Sequence, residues 1–541
     1  MVASSRGFPL PLSRWATLCV AAAFAIFILC GTWYSRSSTS LDTYTSRYHT
    51  PAATVDAHTE DKELLVDHRP VPVASSHDTV PTGETWDDCL HLPGAENILV
   101  LLKTGATAIY DRLPMHFEST FKCIPHYMII SDLEQTIGSV PVYDVLELVT
   151  QTTKENRSSF HLYNDIAFYH ASGQDPSKLA GPDAWDLDKW KFLPMIHKAW
   201  SHSQTELHNT IDWFVMIEAD TSLSWLNLIH FLRDKDPSEP HFIGSPAMLV
   251  ADGSTFNHGG SGIIMSRTAI EKVETKRKNF TPEFEDSGET SIQAYDKYWE
   301  DHTDQVCCGD AVLAHAFADV GVHVTSARPM IQGESPLTIP WELPQPGNAD
   351  SELWCKTPIT WHHVKENQVD ELYQFQQNWV EKVNGGSWKQ TYLYKDIFEE
   401  MIYPNIENLG RDDREEWDNH AQWIKIEIDP KTRGIGVAGP NIPQLSGDDQ
   451  ATLDQITGAA VDSAENCRLA CERRGAPHPW KVPDECVQWK WATGKCYLDF
   501  KIRLGEIMEH SKLGDGQDKW MSGWLKERVE KWKVKQGNCG R

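Results

Sequence analysis

The most informative stretch of this 541-residue chain runs from Trp213 to Val273 and reads WFVMIEADTSLSWLNLIHFLRDKDPSEPHFIGSPAMLVADGSTFNHGGSGIIMSRTAIEKV. It opens with five apolar residues, Trp213–Ile217, which are followed directly by Glu218-Ala219-Asp220. A short, wholly apolar run that ends in polar residues is typical of a strand buried on both faces of a parallel sheet. The sequence therefore predicts a buried strand with two carboxylates at its carboxyl end.

Two earlier runs of the chain repeat this pattern. Ile98–Leu102 precedes Thr104-Gly105, and Tyr127–Ile130 precedes Ser131-Asp132. A helical pattern around residues 187–200 lies between the second and third runs. Strands that alternate with helices predict an α/β fold, in which ligands bind at the carboxyl ends of the strands.

The carboxylates of Glu218 and Asp220 are candidate metal ligands. Two acids at positions i and i+2 can both approach one divalent cation where the chain turns, and oxygen ligands suit Mg²⁺ or Mn²⁺. The alternative is a strand end that merely carries acids, with Thr221 as a turn or cap residue. From these residues alone, both interpretations stay open.

A glycine cluster follows about forty residues later. His258-Gly259-Gly260-Ser261-Gly262 precedes the apolar residues Ile263–Met265 and then a helical pattern. Glycines let the backbone approach a ligand closely or adopt positive φ angles. The spacing matches neither a P-loop nor a Rossmann fingerprint, and by itself the cluster favours a simple tight turn.

Two later segments carry further candidates. Cys307-Cys308-Gly309-Asp310 opens a predicted helix, of which Asp310 is the N-cap on position alone; a carboxylate there could also act as a general base. Trp361-His362-His363-Val364 precedes another helical pattern. Adjacent histidines point to opposite sides of an extended segment, so we expect at most one of them at a given metal site.

The composition excludes one class of partner. The formal net charge of the chain is −27, whereas a nucleic-acid-binding protein needs a basic face for phosphate. We therefore expect no nucleic-acid partner.

The amino terminus predicts a membrane anchor. After a tail, residues 1–14, that contains Arg6 and Arg14, residues 15–34 carry no charge and are long enough to cross a hydrocarbon core of ~30 Å. Positive charges on the preceding tail favour a cytosolic amino terminus. A cleaved signal peptide, and hence a secreted protein, is the alternative. Residues 35–88 are polar, without apolar periodicity, and predict a flexible stem.

The rest of the chain divides by pattern. The α/β signal runs from residue 89 to 400, residues 401–449 are predicted to be a linker, a cysteine-rich module occupies 450–530, and residues 531–541 form a tail. Ten of the twelve cysteines lie beyond the predicted anchor, and an oxidising lumen would favour disulfides among them. Sequons at Asn156 and Asn279 fit the same compartment.

Four features in their order resemble glycosyltransferase family 31, the Fringe and core 1 β1,3-galactosyltransferase-like enzymes, and most of all its fungal branch. These are the acidic triplet, the glycine loop, the aspartate that opens a helix, and the late aromatic-histidine pair, and the resemblance covers roughly residues 98–380. It implies a GT-A fold with a mixed central sheet in residues 89–400.

The resemblance also implies roles for individual residues. Asp220 and His362, with His363 as the alternative histidine, would bind Mn²⁺ or another divalent cation, and Asp310 would be the catalytic base. Three residues depart from the family pattern: Glu218 replaces the usual first aspartate of the triplet, and Ala219 and Gly309 stand where the family usually has acids. The remaining implied site residues are those that contact the nucleotide-sugar or line the site: Thr104, Asp132, Lys191 (near the diphosphate), Glu218, Asp220, Gly259, Gly260, Ser261 and Gly262.

The implied activity is inverting, metal-dependent transfer of a hexose, of galactose or N-acetylglucosamine type, from a UDP-sugar to a hydroxyl of a glycan or glycoprotein, with a β1,3 linkage. The implied location is the Golgi membrane, as a single-pass type II protein with a lumenal catalytic domain. Two alternatives remain open: an inactive relative that acts as a chaperone or scaffold, and a surface protein that binds carbohydrate or protein. The oligomeric state is left open, a homodimer included.

The cysteine-rich module resembles a PAN/Apple domain, a small disulfide-rich α+β fold. The resemblance implies the bridges Cys467–Cys496 and Cys471–Cys486, although four cysteines allow three pairings. In the α/β domain, we expect Cys89 to pair with Cys123. The sequence leaves the partners of the remaining four cysteines open: Cys307, Cys308, Cys355 and Cys539.

Overall fold

A computed structural model describes residues 86–208, 210–281, 288–344, 352–407, 413–439, 448–473, 485–508 and 518–540, which belong to one compact unit. The predicted tail, membrane anchor and stem, residues 1–85, lie outside the described residues. Within the described part of the chain, no helix is long and apolar enough to cross a membrane.

The amino-terminal two thirds of the described chain form an α/β domain. Its strands are β1 Ile98–Lys103, β2 His126–Ser131, β3 Gln135–Ile137, β4 Val140–Asp144, β5 Trp213–Glu218, β6 Ser222–Leu223, β7 Phe242–Gly244, β8 Pro246–Met248, β9 Thr255–Asn257, β10 Ile263–Ser266, β11 Val324–Ser326 and β12 Thr360–Trp361. Its helices are α1 Ile109–Glu118, α2 Gln151–Asn156, α3 Phe160–Ala171, α4 Pro182–Asp188, α5 Phe192–Thr205, α6 Trp225–Arg233, α7 Arg267–Lys278, α8 Ser291–Gln305, α9 Gly309–Asp319, α10 Glu366–Asn378, α11 Tyr394–Ile397 and α12 Tyr403–Glu407.

Eight strands form the central sheet in the order β11-β7-β10-β5-β1-β2-β4-β3. The three apolar runs of the sequence are the strands β2, β1 and β5, which pair in parallel at its centre. Every residue of β1 is buried, and its alternate side chains enter two separate cores, Val100 on one face and Leu101 on the other. Because β10 pairs antiparallel with β5, the sheet is mixed, and the predicted α/β class is confirmed.

The carboxyl-terminal part is a smaller α+β module. Its strands are β13 Asp413–Glu415, β14 Trp417–Asp418, β15 Ile424–Ile428, β16 Ile435–Ala438, β17 Gln488–Ala492, β18 Lys495–Asp499, β19 Glu506–Ile507 and β20 Met521–Trp524, and its helices are α13 Asp448–Ala459, α14 Ala464–Arg473 and α15 Lys526–Lys535. Six of the strands form one sheet in the order β13-β20-β17-β18-β15-β16.

The predicted linker, residues 401–449, is wrong over its described residues. β13, β15 and β16 belong to the same sheet as β17, β18 and β20, so the module begins near residue 413 and not at 450. Ile424 and Ile426 alternate along β15 and are buried against the core of the module. This alternation over a few residues is the strand signal that the sequence interpretation missed.

The predicted tail, residues 531–541, is also wrong. Trp532 of α15 is buried against Trp354 of the α/β domain, with ring centroids 5.5 Å apart. A disulfide joins Cys355 to Cys539. The end of the chain is therefore fastened to the α/β domain.

The described residues contain five disulfides. Three are the pairings expected from the sequence, Cys89–Cys123, Cys467–Cys496 and Cys471–Cys486. The other two join the cysteines whose partners the sequence left open, with Cys307 bonded to its neighbour Cys308. The resemblance of the module to PAN/Apple domains stays a prediction. The sequon residues Asn156 and Asn279 are both exposed.

Candidate active site

Asp220 and His362 meet although 142 positions separate them in the sequence. Asp220 follows the carboxyl end of β5, and the short strands β6 and β12 then pair antiparallel, so that Trp361 lies opposite Ser222. This pairing brings His362 Nε2 to 3.5 Å from Asp220 Oδ1. The backbone N–H of Val364 donates to the carbonyl of Asp220 at 3.1 Å and closes the turn.

His363 joins the same group, contrary to the expectation that only one histidine would. Ligand atoms of Asp220, His362 and His363 all lie within 4.8 Å of one another. The reason is the backbone of His363, whose φ of 55° is left-handed and interrupts the alternation of an extended segment. The two imidazole rings consequently stack, with centroids 3.8 Å apart. We refer to these three residues as the metal-ligand cluster.

The chemistry of this cluster fits a divalent cation. Burial by itself would raise the pKa of Asp220, but the hydrogen bond and charge of His362 outweigh it and lower this pKa to about 2. The carboxylate is therefore ionised at neutral pH, as a ligand must be. His362 is buried, and its Nδ1 has no hydrogen-bond partner among the described residues. One carboxylate and two imidazoles form a donor set that suits first-row transition ions such as Mn²⁺.

The glycine loop packs directly on this cluster. A Cβ atom on Gly260 would collide with the ring of His362, so the close approach requires glycine at this position. Thr221 Oγ1 donates to the carbonyl of Gly260 at 2.7 Å. Ser261 is buried and its Oγ lies 2.9 Å from His258 Nδ1, and Gly262 has a φ of 95°. The loop is therefore more than a tight turn, because it forms a wall of the site.

Asp310 contacts the same loop one residue earlier, at Gly259. Its Oδ2 accepts a hydrogen bond from the backbone N–H of Gly259 at 2.9 Å, and its Oδ1 accepts one from Ala311 N. The N-cap of α9 is Cys308 and not Asp310, so the carboxylate faces the loop. Burial raises the pKa of Asp310 to about 6, against the opposing effect of the hydrogen bond from Gly259. A carboxyl group with this pKa can accept a proton near neutral pH.

The structure also brings together Thr104, Asp132 and Lys191. The ammonium group of Lys191 lies 2.8 Å from Asp132 Oδ2 and 3.2 Å from Asp188 Oδ1, and donates to the carbonyl of Thr104 at 2.9 Å. Lys191 is 1% exposed. These contacts leave its ammonium group with no face open to solvent.

Lys103 extends this arrangement and was missed by the sequence interpretation. It is the last residue of β1 and lies in register with Glu218 on β5, with Nζ 3.2 Å from Glu218 Oε1. On its other side, Nζ pairs with Asp188, so Glu218 takes part in an ion pair and not in the metal-ligand cluster. Acids and lysines thus alternate in what we term the buried charge chain: Asp132, Lys191, Asp188, Lys103 and Glu218.

Helix α1 contacts both segments that carry the metal-ligand cluster. His116 is buried, with Nε2 3.0 Å from the carbonyl of Ala219, the middle residue of the triplet. One turn earlier, Arg112 donates from NH1 to the carbonyl of Val364 at 3.2 Å. The two residues lie four positions apart on a helix that follows β1, and this spacing was the only sequence signal for them.

The comparisons with known proteins concern the central part of this arrangement. Residues 193–297 match the Fringe-like family model, a range that contains Asp220 and the glycine loop but neither Asp310 nor His362. A β-1,3-glucosyltransferase of Mus musculus is 28% identical to the chain over 199 residues. The matched region is 36% of this chain and 35% of that relative, so the chain spans about a third of the length of the curated relative.

Proposed function

We propose that this chain, which carries a Fringe-like region at residues 193–297, is an inverting glycosyltransferase that depends on a divalent metal ion. It moves a hexose from a UDP-sugar to a hydroxyl group of a glycan or glycoprotein and forms a β1,3 linkage. Galactose and N-acetylglucosamine are candidate sugars from the family resemblance, and the name of the mouse relative adds glucose.

The observation that carries the proposal is that four segments, distant in the sequence, meet around the glycine loop. The glycine loop contacts Asp310 through Gly259 and His362 through Gly260. His362 in turn contacts Asp220. A metal-ligand cluster and a carboxyl group of raised pKa therefore contact adjacent residues of one loop, as a site needs that must hold a diphosphate and deprotonate an acceptor.

The residues of this chain divide the reaction between them. When bound to Asp220 and His362, with His363 within reach, a divalent cation such as Mn²⁺ supplies positive charge that neutralises the departing UDP. Asp310 accepts the proton of the acceptor hydroxyl while its oxygen bonds to the anomeric carbon. The bond from that carbon to the phosphate oxygen breaks, and its electron pair leaves with UDP. Because the attack is direct, the configuration of the anomeric carbon inverts.

A ligand-linkage experiment tests the proposal. We expect UDP with Mn²⁺ to raise the melting temperature of the full-length protein, because a ligand that binds only the folded state stabilises it. The variant Asp220→Asn should lose this response. An unchanged melting temperature of the wild-type protein with UDP and Mn²⁺, each at millimolar concentration, would favour the inactive-scaffold alternative. Hydrolysis of UDP-galactose, UDP-N-acetylglucosamine and UDP-glucose then ranks the donors.

We further propose that the protein is a single-pass type II protein of the Golgi membrane with these residues in the lumen. The support is the uncharged segment at residues 15–34 and the five disulfides among the described residues, which require an oxidising compartment. Protease protection of the described domains in sealed vesicles tests this, since a cytosolic orientation would leave them open to digestion.

A further inference from the structure

The proposed donor carries a diphosphate, which needs cationic contacts besides the metal ion. The resemblance suggested Lys191 for this role, but Lys191 and Lys103 both belong to the buried charge chain. Each lies between two acids and is at most 3% exposed. A phosphate oxygen would have to displace a carboxylate to reach either ammonium group, and breaking such a buried pair is costly.

Arg112 is placed differently. Its side chain is 35% exposed, and its guanidinium group is held at the turn that carries the metal ligands, since NH1 donates to the carbonyl of Val364, the residue after His363. Nε lies 3.3 Å from Glu366 Oε1. Among the described residues, NH2 of Arg112 has no hydrogen-bond partner, whereas NH1 and Nε have these contacts.

The charge of Arg112 acts on the same cluster. Burial raises the pKa of Asp220, and His362 and, to a smaller extent, Arg112 lower it. The pKa of His363 is lowered by burial, by His362 and, to a smaller extent, by Arg112. A cation next to a metal site opposes binding of a lone metal ion. It favours an anion that bridges the ion and the cation, and the planar guanidinium fork suits the oxygens of a phosphate group.

We propose that Arg112 binds the diphosphate of the nucleotide-sugar and thereby makes the site selective for nucleoside diphosphates over monophosphates. This inference rests on the proposed function. In place of a lysine on the floor of the site, an arginine on α1 would contact the β-phosphate, beside Asp220 and His362, the residues that would hold the cation.

Two other cationic side chains lie near the metal-ligand cluster, but their contacts differ from those of Arg112. Lys365 lies two residues from His363 and is exposed, but its ammonium group pairs with Glu506 of the carboxyl-terminal module at 2.9 Å. Arg328 donates from Nε to Ser245 Oγ at 2.7 Å, and its charge acts on His258, whose ring contacts that of His362. Arg112, by contrast, donates directly to the carbonyl of Val364, whose own N–H donates to the carbonyl of Asp220.

The test compares Arg112→Gln and Arg112→Lys with Lys365→Gln, which removes a neighbouring positive charge outside the site. Calorimetry on the full-length protein measures the Kd of Mn²⁺ alone, and of UDP and UMP in saturating Mn²⁺. We expect Arg112→Gln to weaken UDP by about tenfold or more and UMP by much less, with Mn²⁺ alone bound at least as tightly as before. Arg112→Lys should recover part of the loss, and Lys365→Gln should bind all three ligands as the wild type does.

The outcomes separate the two proposals. If the wild-type protein binds UDP with Mn²⁺ and Arg112→Gln binds it equally well, the assignment of Arg112 is overturned. It is also overturned if Arg112→Gln loses Mn²⁺ and UDP in parallel, because Arg112 would then only hold the Val364 turn in place. If the wild-type protein fails to bind UDP with Mn²⁺, the proposed function itself fails.

Discussion

The buried charge chain and the metal-ligand cluster lie at the ends of the same strands but differ in how their charges are paired. In the buried charge chain, both lysines lie between two acids and are almost inaccessible to solvent. In the metal-ligand cluster, the closest contact between Asp220 and His362 is 3.5 Å, and His362 Nδ1 has no partner within the described residues. Charges that are fully paired stabilise the fold, whereas polar atoms that lack partners are available to bind a ligand.

The pKa shifts of the two groups show the same contrast. Burial would lower the pKa of Lys103, yet Asp188 and Glu218 outweigh burial and raise it, so the charged form is favoured. For Asp310, which contacts the glycine loop, burial prevails and the pKa rises to about 6. A buried acid without a cationic partner can take up and release a proton near neutral pH, which a paired lysine cannot do.

The largest expected effect comes from Asp310→Asn. The amide keeps the size of the side chain but cannot accept the proton of the acceptor, so we expect the rate of transfer to fall by about 10²–10⁴-fold. The Kd of UDP in Mn²⁺ should stay close to that of the wild type, because Asp310 does not belong to the metal-ligand cluster. Near-wild-type turnover, measured by release of UDP, would remove the base assignment.

A second substitution breaks the buried charge chain and should act on stability. Lys191→Met leaves Asp132 and Asp188 without their shared cation, and loss of one partner from a buried pair costs about 3–5 kcal/mol. Denaturant unfolding measures the change. The matched control is Lys198→Met on α5, where Lys198 pairs with the half-exposed Glu147 and where a loss of at most about 1 kcal/mol is expected. Equal losses in both variants would contradict the structural role of the chain.

The smallest effect is the pH dependence of the wild-type enzyme. Because the pKa of Asp310 is raised to about 6, the carboxyl group is protonated below that pH and cannot act as a base. We expect kcat/KM to fall by roughly tenfold for each pH unit below about 6. Binding of Mn²⁺ measured over the same range separates this effect from protonation of the ligand histidines. A kcat/KM that stays flat down to pH 5 would rule out Asp310 as the group that titrates.

Much of the fold followed from local patterns. The strands β1, β2 and β5 were readable as apolar runs, because a strand buried on both faces needs an apolar residue at every position. Their polar ends marked the edge of the sheet at which the site lies. The alternation of Ile424 and Ile426 on β15 was equally local but too short to stand out from its charged neighbours, so the start of the module was misplaced.

The site was less accessible to sequence reasoning, for two physical reasons. The role of Lys103 depends on its ion pair with Asp188, which is 85 positions away in the sequence and lies on a helix outside the sheet. The joint approach of His362 and His363 depends on one left-handed backbone angle at a residue other than glycine, for which the sequence carries no periodic signal.

By itself, the sequence determined which segments are buried, where the strands end, and which residue types stand at those ends. These properties depend on hydrophobic burial, which a chain expresses through local periodicity. Only the tertiary structure decided which charges are paired, and hence that Lys191 is buried between two acids while the side chain of Arg112 is partly exposed beside the metal-ligand cluster. Ion pairing depends on distances of a few ångströms between side chains from distant segments, and packing of the whole domain sets those distances.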